Sequence, residues 1–320
     1  MPANLTPEFL KARERFRQAK TPEERLSALE EMLATIPKHK GTDKMQADIK
    51  RRIAKLRDVQ TAAKKSRRSR YDHIPKEGAG QCVLVGPPNS GKSTLLASVT
   101  NAKPEIAEYP FSTVIPIPGM MRYADVWIQL VDLPPVTLQY TEGWVYSLIR
   151  EADLVLLVLD PTDPSSLHEA LEEILFLLEE RHIELVEERG EGDEGFKEIP
   201  ALIVLTRGDL GGGADFDLPF PSVLTGPPGG IGLDRLREAV FRALRIIRIY
   251  TKLPGKKPDL TEPYTLPIGS TVIDAVRAVH RDFTERLKYV RIWGSGRFDG
   301  QQVPADHVLE DGDIIEIHTV

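Results

Sequence analysis

The sequence is poor in cysteine, in aromatic residues and in long apolar runs. Cys82 is the single cysteine among 320 residues, so no disulfide can form within the chain. Its place in the apolar run QCVLV suits a core position better than redox chemistry. No apolar stretch approaches the roughly 18 residues that span a bilayer, and the first residues lack the apolar stretch of a signal peptide. We therefore expect a cytoplasmic protein that does not act on membranes.

The composition excludes a disordered chain. Hydrophobic residues make up 41% of the sequence and charged residues 28%, which is enough apolar material for two or three compact domains.

Acidic residues outnumber basic ones overall, 48 to 42, but the basic residues are concentrated in one segment. The net charge is −6, yet residues 38–70 contain thirteen Lys and Arg against three Asp, a balance of +10 that leaves −16 for the rest. We call residues 38–70 the basic arm. A basic segment on an acidic protein favours a polyanionic partner such as RNA or a ribosome, and the alternative is a solvated helix face.

The N-terminal segment has helical signals. Thr6-Pro7 and Thr21-Pro22 each place a capping hydroxyl before a proline suited to a first helical turn. A third helix is predicted from Asp43 to about Lys65, because apolar residues recur there at helical spacing while most cations fall on other faces. Since the apolar stripe needs a partner, residues 1–78 are interpreted as a helical hairpin followed by a basic linker.

A parallel sheet is predicted for the middle of the chain. Five apolar runs alternate with helical stretches, and runs that are apolar throughout suit strands buried on both faces. They are QCVLVG, VWIQLVD, LVLLVLD, ALIVLT and PSVLT. Residues 79–248 are therefore interpreted as an α/β domain.

A phosphate-binding loop follows the first of these strands. GPPNSGKS, residues 86–93, fits the pattern G-x-x-x-x-G-K-[ST] between a strand and a helix. The glycines let backbone N–H groups curl around the α- and β-phosphates, and Lys92 reaches the β- and γ-phosphates. The predicted nucleotide-binding residues of this loop are Gly86, Asn89, Ser90, Gly91, Lys92, Ser93 and Thr94.

A magnesium site is predicted beside the loop. The Ser93 hydroxyl takes one Mg²⁺ position, and Asp132, at the end of VWIQLVD, holds the same ion through water. Thr113 lies where a first switch loop would add a second hydroxyl when a γ-phosphate is present. The candidate metal ligands are thus Ser93, Thr113 and Asp132, and the candidate catalytic residues are Lys92, Thr113 and Asp132.

Two later loops suit recognition of guanine. LTRGD places Asp209 where the carboxylate of Asn-Lys-x-Asp accepts hydrogen bonds from guanine N1–H and the 2-amino group, donors that adenine lacks. Thr206 and Arg207 replace the usual Asn and Lys, and the shorter Thr predicts a looser link between the loops. LTGPPGG supplies Thr225 and Gly226 for a last base-contacting loop.

Together these motifs resemble a known family. The segments that carry the resemblance are EYPFSTVIPIPGMMRY, VDLPP, ADLVLLVLD and residues 247–317. Through them the chain resembles the developmentally regulated GTP-binding protein branch of the Obg-related GTPases, which carry a C-terminal TGS domain. The resemblance covers roughly the last three-quarters of the chain. It implies a P-loop GTPase domain, GTP or GDP with Mg²⁺ as cofactors, and a role with the ribosome or in translation. The short acidic segment 179–198 leaves no room for the extra subdomain that some relatives carry.

The third nucleotide-binding motif departs from that family. Pro135 stands in place of the glycine of Asp-x-x-Gly, whose N–H reaches the γ-phosphate, and proline has no N–H. Val136 stands where many GTPases place a water-orienting Gln. Asn89 either coordinates K⁺, as in potassium-stimulated relatives, or stabilises a turn.

The C-terminal residues 249–320 form the third predicted domain. Strands near residue 250 and at PYTLP, YVRIWG and DIIEIHTV, with a helix from about Val272 to Phe283, give a small β-grasp-like order. This unit carries no catalytic constellation, so a binding module is expected.

The sequence predicts a GTP-binding protein that hydrolyses GTP slowly with Mg²⁺ and acts in translation through RNA or ribosome binding. The alternative is a guanine-nucleotide-dependent assembly module that does not hydrolyse GTP, and Pro135 is the residue that favours it. A protein partner is kept open beside RNA.

Overall fold

The computed structural model describes residues 6–18, 22–37, 45–47, 49–53, 71, 73–102, 115–138, 141–190, 195–210, 216–226 and 230–319. The chain divides into two compact units, Met1–Asp72 and His73–Val320. The second unit contains two β-sheets.

The first unit is helical. Helix α1 spans Pro7–Gln18 and helix α2 spans Pro22–Thr35, and residues 45–47 and 49–53 are also helical. The Phe9 N–H donates to Thr6 Oγ1 at 3.2 Å, which confirms the cap predicted ahead of α1. Thr21 and most of the predicted third helix, including much of the basic arm, lie outside the described residues.

A small apolar core joins these helical stretches. Phe9 on α1 and Leu29 on α2 are buried against Ile49 and Ile53. Residues 50–52, which are Lys-Arg-Arg, are exposed between the two isoleucines. Of the predicted apolar stripe, Ile49 and Ile53 are buried and Met45 is exposed, while the cations beside the isoleucines face solvent.

The first sheet of the second unit is mainly parallel. Strands β3, β1, β4 and β6 pair in that order, β2 pairs antiparallel with β3 at the edge, and β5 and β7 pair with successive halves of β6. Every pairing except β2 with β3 is parallel, as predicted. The strands are β1 Gln81–Val85, β2 Ile117–Tyr123, β3 Val126–Asp132, β4 Leu154–Leu159, β5 Ile183–Val186, β6 Lys197–Leu205 and β7 Ser222–Leu224.

Among the residues that the structure describes, four helices pack on this sheet. They are α3 Lys92–Val99, α4 Gly143–Glu151, α5 Pro164–Glu179 and α6 Leu233–Ala243. Strands β1 and β4 are buried at every residue, as expected for parallel strands covered on both faces. The carboxyl ends of parallel strands meet at one edge, which is where open α/β sheets bind ligands. No helix of the described residues is long and apolar enough to cross a membrane.

Two strands of this sheet were not predicted from the sequence. Strand β2 contains Pro118 and Gly119, which are rare in strands, but an edge strand tolerates a proline because its outer N–H groups need no partner. Strand β5 has only four residues and lies in the acidic segment 179–198, where no long apolar run marks it.

The second sheet has five strands in the order β11-β10-β12-β8-β9. Strand β12 is parallel to β8, and the other pairs are antiparallel. The strands are β8 Ile246–Thr251, β9 Asp259–Pro267, β10 Leu287–Trp293, β11 Gln301–Val303 and β12 Ile314–Thr319.

The helix predicted for residues 272–283 is interrupted. Helix α7 spans Val272–Val279 and helix α8 spans Arg281–Glu285. His280 between them is extended, with φ −160° and ψ 129°, so it ends one helix and its ring nitrogen caps the next. Thr271 and Asp274 form a capping box at the start of α7.

An ionic cluster joins the two sheets of the second unit. Arg248 on β8 donates to Asp125 in the β2–β3 turn at 2.8 Å and to Asp311 at 2.7 Å. The Tyr250 hydroxyl also donates to Asp125. Burial alone would raise the pKa of Asp125, but the hydrogen bonds from Tyr250 and Arg248 outweigh it and hold that pKa below its usual value.

Candidate nucleotide-binding site

The phosphate loop joins the end of β1 to the start of α3. Asn89 and Gly91 both have positive φ, 60° and 93°, which turns the backbone sharply between strand and helix. A Cβ on Gly86 would lie 2.3 Å from the Val158 carbonyl oxygen, so only glycine fits there. The loop and the N-terminus of α3 thus form a backbone cradle suited to an anion.

Lys92 is folded back onto this loop. Its ammonium donates to the carbonyl oxygens of Gly86 and Pro87 at 2.9 and 2.8 Å. Burial lowers the pKa of Lys92 to about 8, and the nearby Asp132 carboxylate opposes that shift. Because the acceptors that Lys92 meets among the described residues are neutral carbonyls, a bound phosphate would offer the ammonium a stronger partner.

Ser93 and Asp132 meet beneath the loop. The Ser93 hydroxyl donates to Asp132 Oδ2 at 2.5 Å. Asp132 is fully buried, and its Oδ1 has no hydrogen-bond partner among the described residues. Burial raises the pKa of Asp132, while Ser93 and Lys92 lower it in part.

This pair fits a magnesium ion. A buried carboxylate oxygen without a partner needs a cation or a water molecule, and Mg²⁺ takes a carboxylate, hydroxyls, water and phosphate oxygens. No cluster of three or more His, Cys, Asp or Glu suited to a metal occurs in the described part of the chain. The ion would therefore depend on Ser93, Asp132, water and the nucleotide itself. Thr113, the remaining predicted ligand, lies outside the described residues.

The segment after Asp132 packs against the phosphate loop. Leu133 and Val136 are buried, and the Val136 N–H donates to the Gly86 carbonyl oxygen at 3.3 Å. Pro135 contributes no N–H at the glycine position of Asp-x-x-Gly, so the next backbone donor is the Val136 N–H, one residue later.

Thr206 ties the base-side loop to the phosphate loop. Its hydroxyl is buried and donates to the Ser90 carbonyl oxygen at 2.8 Å, with the Leu159 carbonyl oxygen at 3.2 Å. Thr206 therefore links the two loops by a direct hydrogen bond, although its side chain is shorter than the usual Asn. The Ser90 Oγ, in contrast, is buried without a partner among the described residues.

Arg207 lies across the mouth of the phosphate loop. Its guanidinium donates to the Asn89 carbonyl oxygen at 3.1 Å and forms an ion pair with Asp160. Asp160, directly after β4, was not among the predicted site residues. Its signal in the sequence was its place at the end of an apolar strand beside the other motifs.

The remaining base-side residues lie together. The Gly208 N–H donates to the Thr225 carbonyl oxygen at 2.8 Å, which joins the two loops. A Cβ on Gly226 would lie 3.2 Å from Asp209 Oδ1, so Gly226 leaves the Asp209 carboxylate room. Asp209 is exposed, and Thr225 is buried with its hydroxyl on the Leu205 carbonyl oxygen. Thr94, the last predicted loop residue, is half-buried in the first turn of α3.

These features define a P-loop GTP-binding protein with two recognisable modules. The family model described as 50S ribosome-binding GTPase matches residues 81–189, and the TGS domain model matches residues 247–319.

Full-length relatives extend the match. A GTP-binding protein of Methanocaldococcus jannaschii is 31% identical over an alignment 366 positions long that covers 92% of each chain. Developmentally-regulated GTP-binding protein 1 of Xenopus laevis is 27% identical over 92% of this chain and 98% of its own. GTP-binding protein 1 of Schizosaccharomyces pombe is also 27% identical, over 92% and 99%. The chain belongs to the developmentally regulated GTP-binding protein family, as the sequence motifs predicted.

Proposed function

We propose that this protein binds GTP with Mg²⁺, hydrolyses it slowly and acts in translation in the cytoplasm through RNA or ribosome binding. One observation carries the nucleotide part. The phosphate loop, the Ser93–Asp132 pair and the Asp209 loop converge at the carboxyl edge of the parallel sheet. A nucleotide spanning that edge would meet its phosphate, metal and base partners together.

Each group has a separate task in this proposal. The loop N–H groups and Lys92 bind the phosphates, and Ser93, Thr113 and Asp132 hold the magnesium ion. Bound Mg²⁺ would neutralise charge on the phosphate oxygens. The exposed Asp209 carboxylate would accept from guanine, while the Arg207 side chain, held by Asp160, would cover the base.

Asn89 supports two roles. Its positive φ is one that asparagine tolerates, which supports turn stabilisation. Its side-chain amide is exposed and makes no hydrogen bond to the described residues, which leaves it available to coordinate K⁺ near the phosphates. Faster turnover in K⁺ than in Na⁺ would distinguish the second role.

Pro135 supports a second candidate function, a guanine-nucleotide-dependent assembly module that does not hydrolyse GTP. The residue after it, Val136, has a buried aliphatic side chain and cannot orient a water molecule. Any GTP hydrolysis would then depend on Lys92 and the bound cations alone, which favours the candidate without hydrolysis.

The partner part of the proposal has independent support. The matched GTPase model is described as ribosome-binding, and residues 50–52 of the basic arm expose cations to solvent. Such a surface attracts the phosphates of RNA.

Calorimetric titration tests the nucleotide site. GTP and GDP should bind in the presence of Mg²⁺, and ATP should not. Omission of Mg²⁺ should weaken the binding of GTP more than that of GDP. Equal binding of ATP and GTP would contradict the assignment of Asp209. A single-turnover assay in K⁺ and in Na⁺ then separates the two functions, because the assembly module leaves the γ-phosphate intact under both conditions.

A further inference from the structure

The C-terminal sheet has one face covered by a helix and one that is not. Ile249, Val290, Ile292 and Ile315 point toward α7, where they form a buried core with Val276. Side chains alternate along a strand, so the residues between them lie on the opposite face. At one end of that face, Arg248 and Tyr250 contact Asp125 at the junction with the first sheet. We call the part of the face beyond that junction the open face, and the residues of it that matter here are Lys252, Tyr289, Arg291, Trp293, Glu316 and His318.

Strand register brings these six side chains together. On β10 and β12, Tyr289 lies opposite His318 and Arg291 lies opposite Glu316. The Tyr289 and His318 rings are stacked, with centroids 4.2 Å apart and an interplanar angle of 18°. The Lys252 ammonium lies 4.0 Å from the Trp293 ring centroid. Tyr289 and Trp293 are half-buried, so the open face places two partly exposed aromatic rings next to cations.

The negative charge of this surface is buried and neutralised. Glu316 is its single carboxylate among the six and is only 4% exposed. Lys252 contacts it at 3.0 Å and His318 at 2.6 Å. Burial alone would raise the pKa of Glu316, but these two hydrogen bonds hold it below its usual value. Arg291, by contrast, is exposed and lies over the Tyr289 ring at 5.8 Å.

We propose that the open face is a stacking platform for single-stranded RNA. This inference rests on the proposed function and names the surface through which the C-terminal domain contributes to it. Unpaired bases stack on aromatic rings, and cations among those rings bind the connecting phosphates. Trp293 and the Tyr289–His318 pair provide two such ring sites, and Arg291 lies between them on the same strand.

A single strand suits this surface better than a duplex. The bases of a duplex are already stacked on one another, so the rings of the open face would have no base face to cover. The basic arm needs only phosphates and would bind both forms. A preference for single strands is therefore the signature of the open face.

The test uses the full-length protein and a fluorescein-labelled oligouridylate of about twelve nucleotides, a length within the range of known single-strand sites. Anisotropy titrations at several salt concentrations compare Arg291→Gln with Lys288→Gln. Lys288 is an exposed cation on the same strand, at the irregularity in its pairing with β12 and outside the six residues of the open face. We expect Arg291→Gln to weaken binding about fivefold and to lower the salt slope by about 0.7, and Lys288→Gln to match the wild type.

Ring substitutions test stacking directly. Tyr289→Leu should weaken the single strand about tenfold, the loss that one stacked base gives, and should bring its affinity close to that of duplex RNA. Tyr289→Phe keeps the ring and should retain binding. A thermal unfolding transition that matches the wild type shows that each variant is folded, and ultraviolet crosslinks of the wild type should map to Tyr289 or Trp293.

Several results would overturn the proposal. Equal RNA affinity in all four variants, or equal losses in Arg291→Gln and Lys288→Gln, would leave the open face without a specific role. Weaker ribosome binding with unchanged RNA affinity would assign the face to a protein. If the open-face variants bind RNA normally but reversal of the basic arm abolishes binding, the inference fails and the proposed function stands. A wild type that binds neither RNA nor ribosomes contradicts both.

Discussion

The Val136 N–H donates to the Gly86 carbonyl oxygen across 3.3 Å, so the third motif is docked on the phosphate loop without help from Pro135. Lys92 donates to the same oxygen at 2.9 Å. A nucleotide that draws Lys92 toward its phosphates would leave Val136 as the remaining donor to Gly86. The loop and the segment that follows Asp132 are therefore linked through one backbone acceptor.

Pro135→Gly restores the missing donor. One hydrogen bond to a charged group is worth roughly 1.5–3 kcal/mol, so the GTP/GDP affinity ratio should widen by about 10- to 100-fold. Turnover should rise more in K⁺ than in Na⁺ if Asn89 holds the ion. The measurements are nucleotide titrations and turnover in each salt, with Pro134→Gly as a control that adds similar flexibility one residue earlier. An unchanged ratio would mean that this segment does not reach the γ-phosphate.

Thr206→Val tests the link between the base-side loop and the phosphate loop. It keeps the shape but removes the hydroxyl that donates to the buried Ser90 carbonyl oxygen. Losing that bond should cost about 1–3 kcal/mol in the free energy of unfolding and should weaken GTP binding. Denaturant titration measures the first effect and calorimetry the second. Thr206→Ser keeps the hydroxyl and should retain most of the stability and most of the GTP affinity. Full stability in the Val variant would show that the bond contributes nothing.

The sequence predicted elements better than contacts. Strands β1, β3, β4, β6 and β7 were predictable because runs such as LVLLVL are apolar at every position, which suits a strand buried on both faces. The phosphate loop was predictable because its residues are contiguous. The Thr206–Ser90 bond joins residues 116 positions apart, and no local pattern reports which carbonyl a hydroxyl will face. The Arg207–Asp160 pair and the Val136–Gly86 bond escaped prediction for the same reason.

Asp209→Asn should change the choice of base. The carboxylate is exposed beside Gly226, and loss of its paired contacts to guanine should cost on the order of 2–4 kcal/mol. An amide can donate to the 2-oxygen of xanthine, so the affinity for xanthosine triphosphate should rise as that for GTP falls. Competition binding measures both affinities. Asp217→Asn makes the same change of charge at an exposed residue outside the motifs and should leave the base preference unaltered.

Asp125→Asn should weaken the junction between the two sheets. Asp125 and Arg248 are each about one-fifth exposed, so loss of their charge-assisted bond should cost about 1–2 kcal/mol near neutral pH. The folded-state pKa of Asp125 is depressed, so its contribution is present above the unfolded pKa and is lost as pH falls through the folded value. The stability difference between wild type and variant should therefore shrink below about pH 4.

Denaturant titrations at pH 7 and in acid measure that difference. Asp306→Asn, at an exposed carboxylate of the same unit, is the control and should have little effect at either pH. A difference between Asp125→Asn and wild type that persists in acid would show that packing, and not the ion pair, holds the junction.

Reversal of the basic arm should remove most RNA or ribosome affinity while leaving GTP binding intact. Changing Arg51, Arg52, Lys55 and Arg57 together to Glu replaces four potential phosphate contacts by repulsion, and each lost contact lowers the salt slope by about 0.7 for a single strand. Arg51 and Arg52 are exposed beside the buried Ile53, so their reversal should not disturb the helical core. Lys55 and Arg57 lie outside the described residues.

A matched pair of double variants separates a binding surface from a general charge effect. Arg51→Glu with Arg52→Glu is compared with Lys11→Glu and Arg13→Glu, two exposed cations of α1 in the same unit. Both pairs change the net charge equally, so long-range repulsion of RNA acts on both. Only the arm pair should also lose direct phosphate contacts, which makes its salt slope the shallower of the two. Identical slopes would mean that the exposed cations of residues 50–52 form a solvated helix face and that RNA is bound elsewhere.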